Sequence, residues 1–130
     1  PAMGQMVMNF SANMLGLDNA ATPFGLKAME SLQTLNPQKE TASNAQIMFL
    51  VLHTSGLTLI PLSIIAYRAG AGSVNPTSVF VPLMLATSVA TVASILITGM
   101  YQRLKFDRVL IAWLGTIVTA IFLFAWFIQQ

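Results

Sequence analysis

Long apolar stretches alternate with short polar ones along the chain, and this pattern predicts helices of membrane length. No charged side chain occurs within residues 41–67, 69–102 or 109–130. Each stretch can hold the ~20 helical residues that cross ~30 Å of hydrocarbon. We therefore expect three transmembrane helices, at residues 44–67, 78–99 and 109–128.

The first 35 residues follow a different pattern. Residues 3–17 are apolar but too few to span a bilayer. Thr22 followed by Pro23 is typical of a helix N-cap and first turn, and residues 24–35 then alternate apolar and polar faces at helical spacing. We expect a broken or re-entrant helix pair over residues 1–35, with an amphipathic second helix that begins at Phe24.

The predicted span at residues 44–67 contains an interruption of its own. Gly56 and Pro61 lie close together in it, flanked by the hydroxyls of Thr54, Ser55 and Thr58. Proline cannot donate to the carbonyl four residues earlier, and hydroxyl side chains can satisfy the groups that this releases. Two interrupted segments, residues 13–25 and 53–61, are typical of a transporter-like site near the bilayer midplane.

Composition supports a membrane protein and excludes several other classes. Only 8% of the residues are charged, against roughly 25% in a soluble domain, and the mean hydropathy is +0.72. The formal net charge of +2 is too small for a nucleic-acid-binding surface. The chain has no cysteine, which excludes disulfides and thiolate metal sites. We expect an all-α polytopic bundle that forms a single membrane domain over residues 1–130.

Charge also predicts the orientation of the chain. Arg103, Lys105 and Arg108 lie close together between the last two predicted spans, whereas Arg68 is alone in the preceding loop. The positive-inside rule therefore predicts that loop 101–108 is cytoplasmic.

Polar residues in the two interruptions are the candidate solute-binding or ion-binding residues. They are Asn13, Asp18, Asn19 and Thr22 in the first, and His53, Thr54, Ser55 and Thr58 in the second. Asp18 would bind a cation or relay a proton at membrane depth, or would only cap a helix at the interface. His53 would change protonation or bind a ligand, or would be a neutral histidine satisfied by a neighbouring helix.

A line of hydroxyls on the span at residues 78–99 is a further candidate. Its members recur at helical spacing on one face: Thr87, Thr91, Ser94 and Thr98. They would line a polar cavity that faces the two interruptions, or would pack closely and bond back to their own helix.

Catalytic and metal sites are not expected. The single histidine has no acidic residue or cysteine at metal-ligand spacing. No nucleophile elbow, Walker loop or dinucleotide fingerprint occurs, and His53 and Ser55 lie too close along one segment for triad geometry. We expect neither an enzyme nor a bound cofactor.

The two interruptions resemble a known family. The stretch from Asn13 to Met29, NMLGLDNAATPFGLKAM, followed by Thr54–Pro61, TSGLTLIP, is similar to the bacterial spore maturation protein A family of the nucleoside-recognition, or gate-domain, superfamily. The resemblance covers roughly residues 2–100, and His53 stands where family members tend to have Asn. It implies a multi-pass protein of the bacterial inner membrane with a related second subunit. It also implies that the chain is a C-terminal part of a longer protein.

Two hypotheses about function follow. In the first, the interruptions and the hydroxyl line form a pathway for a small solute or ion, together with a related subunit or a second copy of the chain. In the second, the same segments are a docking surface in a structural or assembly subunit that transports nothing.

Overall fold

The described part of the chain, residues 1–103 and 108–128 of the computed structural model, contains only helices and turns. The helices are α1 Ala2–Met14, α2 Asp18–Leu35, α3 Asn44–Ser55, α4 Leu62–Gly70, α5 Phe80–Tyr101 and α6 Arg108–Ile128, with a 3-10 turn at Pro76–Val79. The all-α prediction is confirmed over these residues. Part of the loop predicted to be cytoplasmic, residues 104–107, lies outside them.

The first break is much shorter than residues 13–25, because only residues 15–17 separate α1 from α2. Gly16 makes the turn with a φ of 61°, a value that glycine adopts without strain. The amides of Ala20 and Ala21 both donate to the carbonyl of Leu17, at 2.9 and 3.0 Å, so α2 already begins at Asp18. The prediction that Thr22 caps a helix beginning near Pro23 is therefore wrong.

Pro23 lies inside α2, as the sixth residue of the helix. Its missing N–H removes the bond to the carbonyl of Asn19, and its ring crowds the same carbonyl. The hydroxyl of Thr22 donates to the carbonyl of Asp18, at 3.3 Å, instead of capping the helix.

The interruption of the next predicted span is confirmed, and it covers residues 56–61. Ser43 and Gln46 form a capping box at the start of α3. Gly56 ends the helix in the left-handed conformation, with a φ of 58°, and Pro61 precedes α4. The predicted span at residues 44–67 is thus two helices of 12 and 9 residues.

The tightest packing is at the N-terminal end of the fold. Helices α1 and α2 form an antiparallel pair with the most extensive contact in the described structure, and α3 packs against both of them and against α5. Their core uses small side chains, Ala2 and Ala28, beside Leu32 and Phe49. Small residues allow the backbones to approach closely, and the polar side chains of α1 can therefore reach its neighbours.

One helix of the described residues is long and apolar enough to cross a membrane by length and composition. It runs from Pro76 through α5 to Tyr101, with a mean hydropathy of 2.1 in its most apolar window, 17% of which is buried within the protein. Helix α6 contains a shorter apolar segment, Leu114–Phe127. Of the three predicted spans, the one at residues 78–99 therefore has the clearest structural support.

Candidate functional site

A group of polar side chains from α1 and α3 meets inside the broken-helix region. Asn9 and Asn13 lie one turn apart on α1, and His53 reaches them from the last turn of α3. The Nδ1 atom of His53 lies 3.0 Å from Nδ2 of Asn9, 3.1 Å from Oδ1 of Asn9 and 3.3 Å from Nδ2 of Asn13. We call these three residues the amide–histidine cluster.

The orientation of both amides in the amide–histidine cluster follows from one carbonyl. Nδ2 of Asn9 donates to the carbonyl of Ala21 at 2.6 Å, and a carbonyl can only accept. Oδ1 of Asn9 therefore faces Asn13, which must present its Nδ2 at 3.4 Å. As a consequence, Oδ1 of Asn13 points away from the cluster.

The contacts of His53 are compatible with either tautomer of its ring. With the proton on Nε2, Nδ1 accepts from the amide nitrogens of Asn9 and Asn13, at 3.0 and 3.3 Å. With the proton on Nδ1, the ring donates to Oδ1 of Asn9, at 3.1 Å. The plane of the ring stacks on Phe49, with ring centroids 6.3 Å apart.

Gly25 on α2 makes room for the amide–histidine cluster. A Cβ atom at this position would lie 3.0 Å from Nδ2 of Asn9 and 3.4 Å from Cε1 of His53. Because Asn9 is completely buried and held by Ala21, it has little freedom to move aside. Glycine therefore allows the close approach of α2 to the cluster, and a larger residue would require Asn9 to shift.

The two breaks contact each other directly. The amides of Leu59 and Ile60 both donate to the carbonyl of Met14, each at 2.9 Å. In return, the hydroxyl of Ser63 donates to the carbonyl of Gly16. A Cβ on Gly16 would lie 3.0 Å from Cα of Pro61, so the two backbones touch. Polar backbone groups released by each break are thus satisfied by the other.

Helix α5 closes the second break from the other side. The hydroxyl of Thr87 lies 3.2 Å from the amide of Thr58, from which it accepts, and 3.3 Å from the carbonyl of Thr58, to which it can donate. The hydroxyl of Thr91 lies 3.1 Å from that of Ser55, and it also donates to the carbonyl of Thr87 at 2.8 Å. The first half of the predicted hydroxyl line therefore both faces a break and bonds back to its own helix.

A groove of about 210 Å³ lies between α1, α3, the second break and α5. Its lining is almost entirely apolar, and its polar members are Asn13 and Thr91; the apolar members are Phe10, Met14, Leu52, Leu57 and Ile95. None of these lining residues carries a charge.

The structure brings together only some of the residues predicted to form a site. Asn13 and His53 meet in the amide–histidine cluster, and Ser55 and Thr58 contact α5. By contrast, no hydrogen bond within residues 1–103 and 108–128 joins that cluster to the exposed residues Asp18, Asn19, Thr22 and Thr54. Asp18 is the first residue of α2, as expected if it only supports a helix start.

The second half of the hydroxyl line does not reach the breaks. Thr98 is buried and Ser94 half-buried, and within the described ranges neither side chain bonds to residues 15–17 or 56–61. Both lie farther along α5, beyond the turn that carries Thr91.

Sequence reasoning missed the central residue of the amide–histidine cluster. Asn9 is fully buried, yet it was not singled out because it precedes the first break by several residues. The available signal was its spacing from Asn13, four residues on, which places both amides on one face of α1. Ser63 was also missed, because its role depends on a contact with the first break that spacing along the chain does not reveal.

Comparison with known proteins gives one informative relative. The chain is 45% identical over 110 residues to spore maturation protein A of Bacillus subtilis (strain 168). The matched region covers 83% of this chain and 56% of the relative, so the chain spans little more than half the length of that protein. No family model matches the sequence. No solved structure matches it either.

Proposed function

The chain belongs to the spore maturation protein A family, and from this premise we propose that it is a multi-pass subunit of the bacterial inner membrane that forms part of a pathway for a small solute or ion. In this proposal the two breaks lie at bilayer depth, and the protein functions in spore maturation together with a related membrane subunit or a second copy. No catalytic step, cofactor or metal is assigned to it.

Membrane embedding is supported by where the chain places its apolar side chains. Large apolar residues point outward along α5 and α6, among them Ile97, Phe122 and Phe127. An exposed apolar surface of this kind suits a helix that faces lipid or another membrane helix. In the proposal α5 and α6 each cross the bilayer, and α3 and α4 cross it together as one broken span.

The observation that carries the proposal is the mutual satisfaction of the two breaks. Unwound backbone at membrane depth is tolerated only where protein or a water-filled cavity satisfies its polar groups. Here the carbonyl of Met14 accepts hydrogen bonds from the amides of Leu59 and Ile60, both at 2.9 Å. Paired broken helices beside a polar cluster are the arrangement that secondary transporters use for substrate and ion sites.

A flux assay tests the proposal. The protein from its complete reading frame, with any membrane subunit that co-purifies, would be reconstituted in vesicles, and uptake of labelled uridine and of protons would be followed. Uridine is chosen because the superfamily resemblance suggests nucleosides. We expect uptake of one of these probes above that of empty vesicles.

Two variants on the same helix distinguish a specific pathway from leakage. Asn13→Ala removes a member of the amide–histidine cluster, and we expect uptake to fall about tenfold, the equivalent of ~1.4 kcal/mol. Ser11→Ala alters an exposed residue nearby and should leave uptake within about twofold of the unmodified protein. Uptake no higher than in empty vesicles, or equal uptake for Asn13→Ala, would contradict the proposal.

The second candidate function, a structural or assembly subunit, is favoured by the outer face of α6. Small residues line a shallow surface there, at Ala112, Gly115, Thr116, Thr119 and Ala120. Small side chains at this spacing allow another helix to pack closely. If this function holds, Gly115→Leu should release a co-purifying subunit while flux, if any, is unchanged.

A further inference from the structure

The groove beside the amide–histidine cluster contains an acceptor atom that no residue of the described structure satisfies. Asn13 is 8% exposed, and its side chain lines the groove. Its Nδ2 is held by Asn9 and His53, so its Oδ1 must face outward from the cluster. No hydrogen bond within residues 1–103 and 108–128 is donated to this oxygen.

The oxygen of Asn13 is accessible from the groove and not sealed in the protein. Among the described residues, no fully buried side-chain oxygen or nitrogen lacks a hydrogen-bond partner. Because Oδ1 of Asn13 has no partner, it must border open space, and the open space at this residue is the groove. An acceptor left unpaired in a largely apolar groove is unfavourable.

Thr91 provides a second acceptor on the same groove. Its side chain is 8% exposed, and its single hydroxyl hydrogen is directed at the carbonyl of Thr87 or at Ser55. The oxygen retains lone-pair capacity, as any threonine hydroxyl does. Asn13 and Thr91 therefore both offer acceptors to a groove whose remaining lining is apolar.

The size and chemistry of the groove define what fits in it. Its volume of about 210 Å³ exceeds the roughly 150 Å³ apolar cavity that accommodates benzene. No lining residue carries a charge that would compensate an ionic ligand. We propose that the groove binds a small neutral molecule with an apolar body and a hydroxyl or N–H group that donates to Oδ1 of Asn13.

This inference rests on the proposed function for the role of the ligand as a transported solute, but binding itself does not depend on transport. The test uses two probes that differ by one hydroxyl group, para-fluorobenzyl alcohol and para-fluorotoluene, of which only the first carries a donor. Fluorine NMR line broadening with the complete protein in lipid nanodiscs reports binding of each. Partition into lipid is subtracted with empty nanodiscs, and Ile95→Trp, which fills the groove from one of its lining positions, is the blocked-groove control.

We expect the alcohol to bind about fivefold or more tightly than the toluene, since one hydrogen bond to an otherwise unpaired buried acceptor distinguishes them. Asn13→Leu should reduce this ratio to about one, and Ser11→Leu, on the exposed face of α1, should leave it unchanged. Thr91→Val should lower the ratio of alcohol to toluene binding by a smaller factor. Because valine keeps the shape of threonine, this variant is the substitute test if Asn13→Leu fails to fold.

Three results would overturn the inference: equal binding of both probes, a ratio unaffected by Asn13→Leu and Thr91→Val, or binding that persists in Ile95→Trp. Absence of binding to the unmodified protein, as when another helix of the complete protein fills the groove, also overturns it. Binding without flux of any solute would contradict the proposed function and leave the groove assignment intact. Flux without binding of the alcohol would contradict the groove assignment and leave the proposed function intact.

Discussion

The broken-helix region, residues 2–70, and helix α6 place their polar groups in opposite ways. In the broken-helix region the polar side chains join separate elements: Asn9 links α1 to α2 and α3, and Ser63 links α4 to the first break. On α6 the hydroxyls of Thr116 and Thr119 donate to their own helix, to the carbonyls of Ala112 and Gly115. These two hydroxyls of α6 therefore join it to no other helix.

This difference indicates which part of the molecule is fixed by its own sequence. Between helices in a bilayer, apolar burial contributes little to association, whereas close packing and hydrogen bonds determine which helices pair. Residues 2–70 contain such contacts at both breaks, whereas the α6 side chains that line the cavity beside α5 are apolar, among them Leu114, Ile117 and Val118. We therefore expect substitutions in the broken-helix region to have large effects and matched substitutions on α6 to have small ones.

The largest effect is expected for Gly16→Ala. A Cβ there would lie 3.0 Å from Cα of Pro61 and 3.1 Å from the amide nitrogen of Leu62, and the backbone φ is 61°. Backbone strain together with overpacking against atoms that cannot rotate away should lower the free energy of unfolding by about 3 kcal/mol. Equilibrium unfolding of the complete protein in detergent micelles measures this loss.

Glycines on regular helix provide the control for Gly16. Apart from the adjoining residues and the backbone of the same helix, no atom lies within 4 Å of a Cβ built at Gly4 or Gly115. Alanine at either position should be neutral or should stabilise the protein by up to ~1 kcal/mol through helix propensity. If Gly16→Ala is no more destabilising than Gly115→Ala, the two breaks do not touch as described.

An intermediate effect is expected for Gly25→Ala. The added Cβ would press on Nδ2 of Asn9 at 3.0 Å, and Asn9 is held by Ala21. The cost of overpacking should exceed the gain in helix propensity, so the free energy of unfolding should fall by about 1–2 kcal/mol. The ring resonances of His53 should shift as well, because the Cβ also lies 3.4 Å from Cε1. Unchanged stability together with unchanged His53 resonances would show that α2 is not close to this cluster.

The smallest effect comes from a matched pair of threonines. Thr87→Val removes the acceptor for the amide of Thr58, 3.2 Å away, and should reduce stability by about 1 kcal/mol. Thr119→Val removes a hydroxyl that bonds only its own helix, and stability should change by no more than ~0.5 kcal/mol. Equal losses in the two variants would show that Thr87 does not support the second break.

Sequence patterns predicted the second break well and the first break poorly, for a physical reason. Gly56 and Pro61 both act locally, one ending α3 and the other preceding α4, so their effect is evident from the sequence. At the first break Thr22 and Pro23 also form a local start signal, but Leu17 offers its carbonyl to Ala20 and Ala21 and the helix begins earlier. Pro23 therefore lies inside α2, where a proline removes one intrahelical hydrogen bond, and not at the first helical position that the local signal indicated.

The candidate site was predictable only as a set of residue types. Spacing placed Asn13 near one break and His53 near the other, and the structure brings the two side chains to 3.3 Å. Spacing did not predict that Asn9 would join them, because that contact depends on how closely α1 approaches α2 at Gly25. Close approach of backbones is a tertiary property, which a single sequence does not encode in any local pattern.

Amide hydrogen exchange at Leu59 and Ile60 tests the central claim most directly, since both amides donate to the carbonyl of Met14 only if the two breaks are in contact. The measurement uses the complete protein in nanodiscs and compares these amides with those of α3 and with that of Val74, which is fully exposed in the loop after α4. We expect Leu59 and Ile60 to exchange as slowly as α3, and to lose this protection in Gly16→Ala. Exchange as fast as that of Val74 in the unmodified protein would contradict the account.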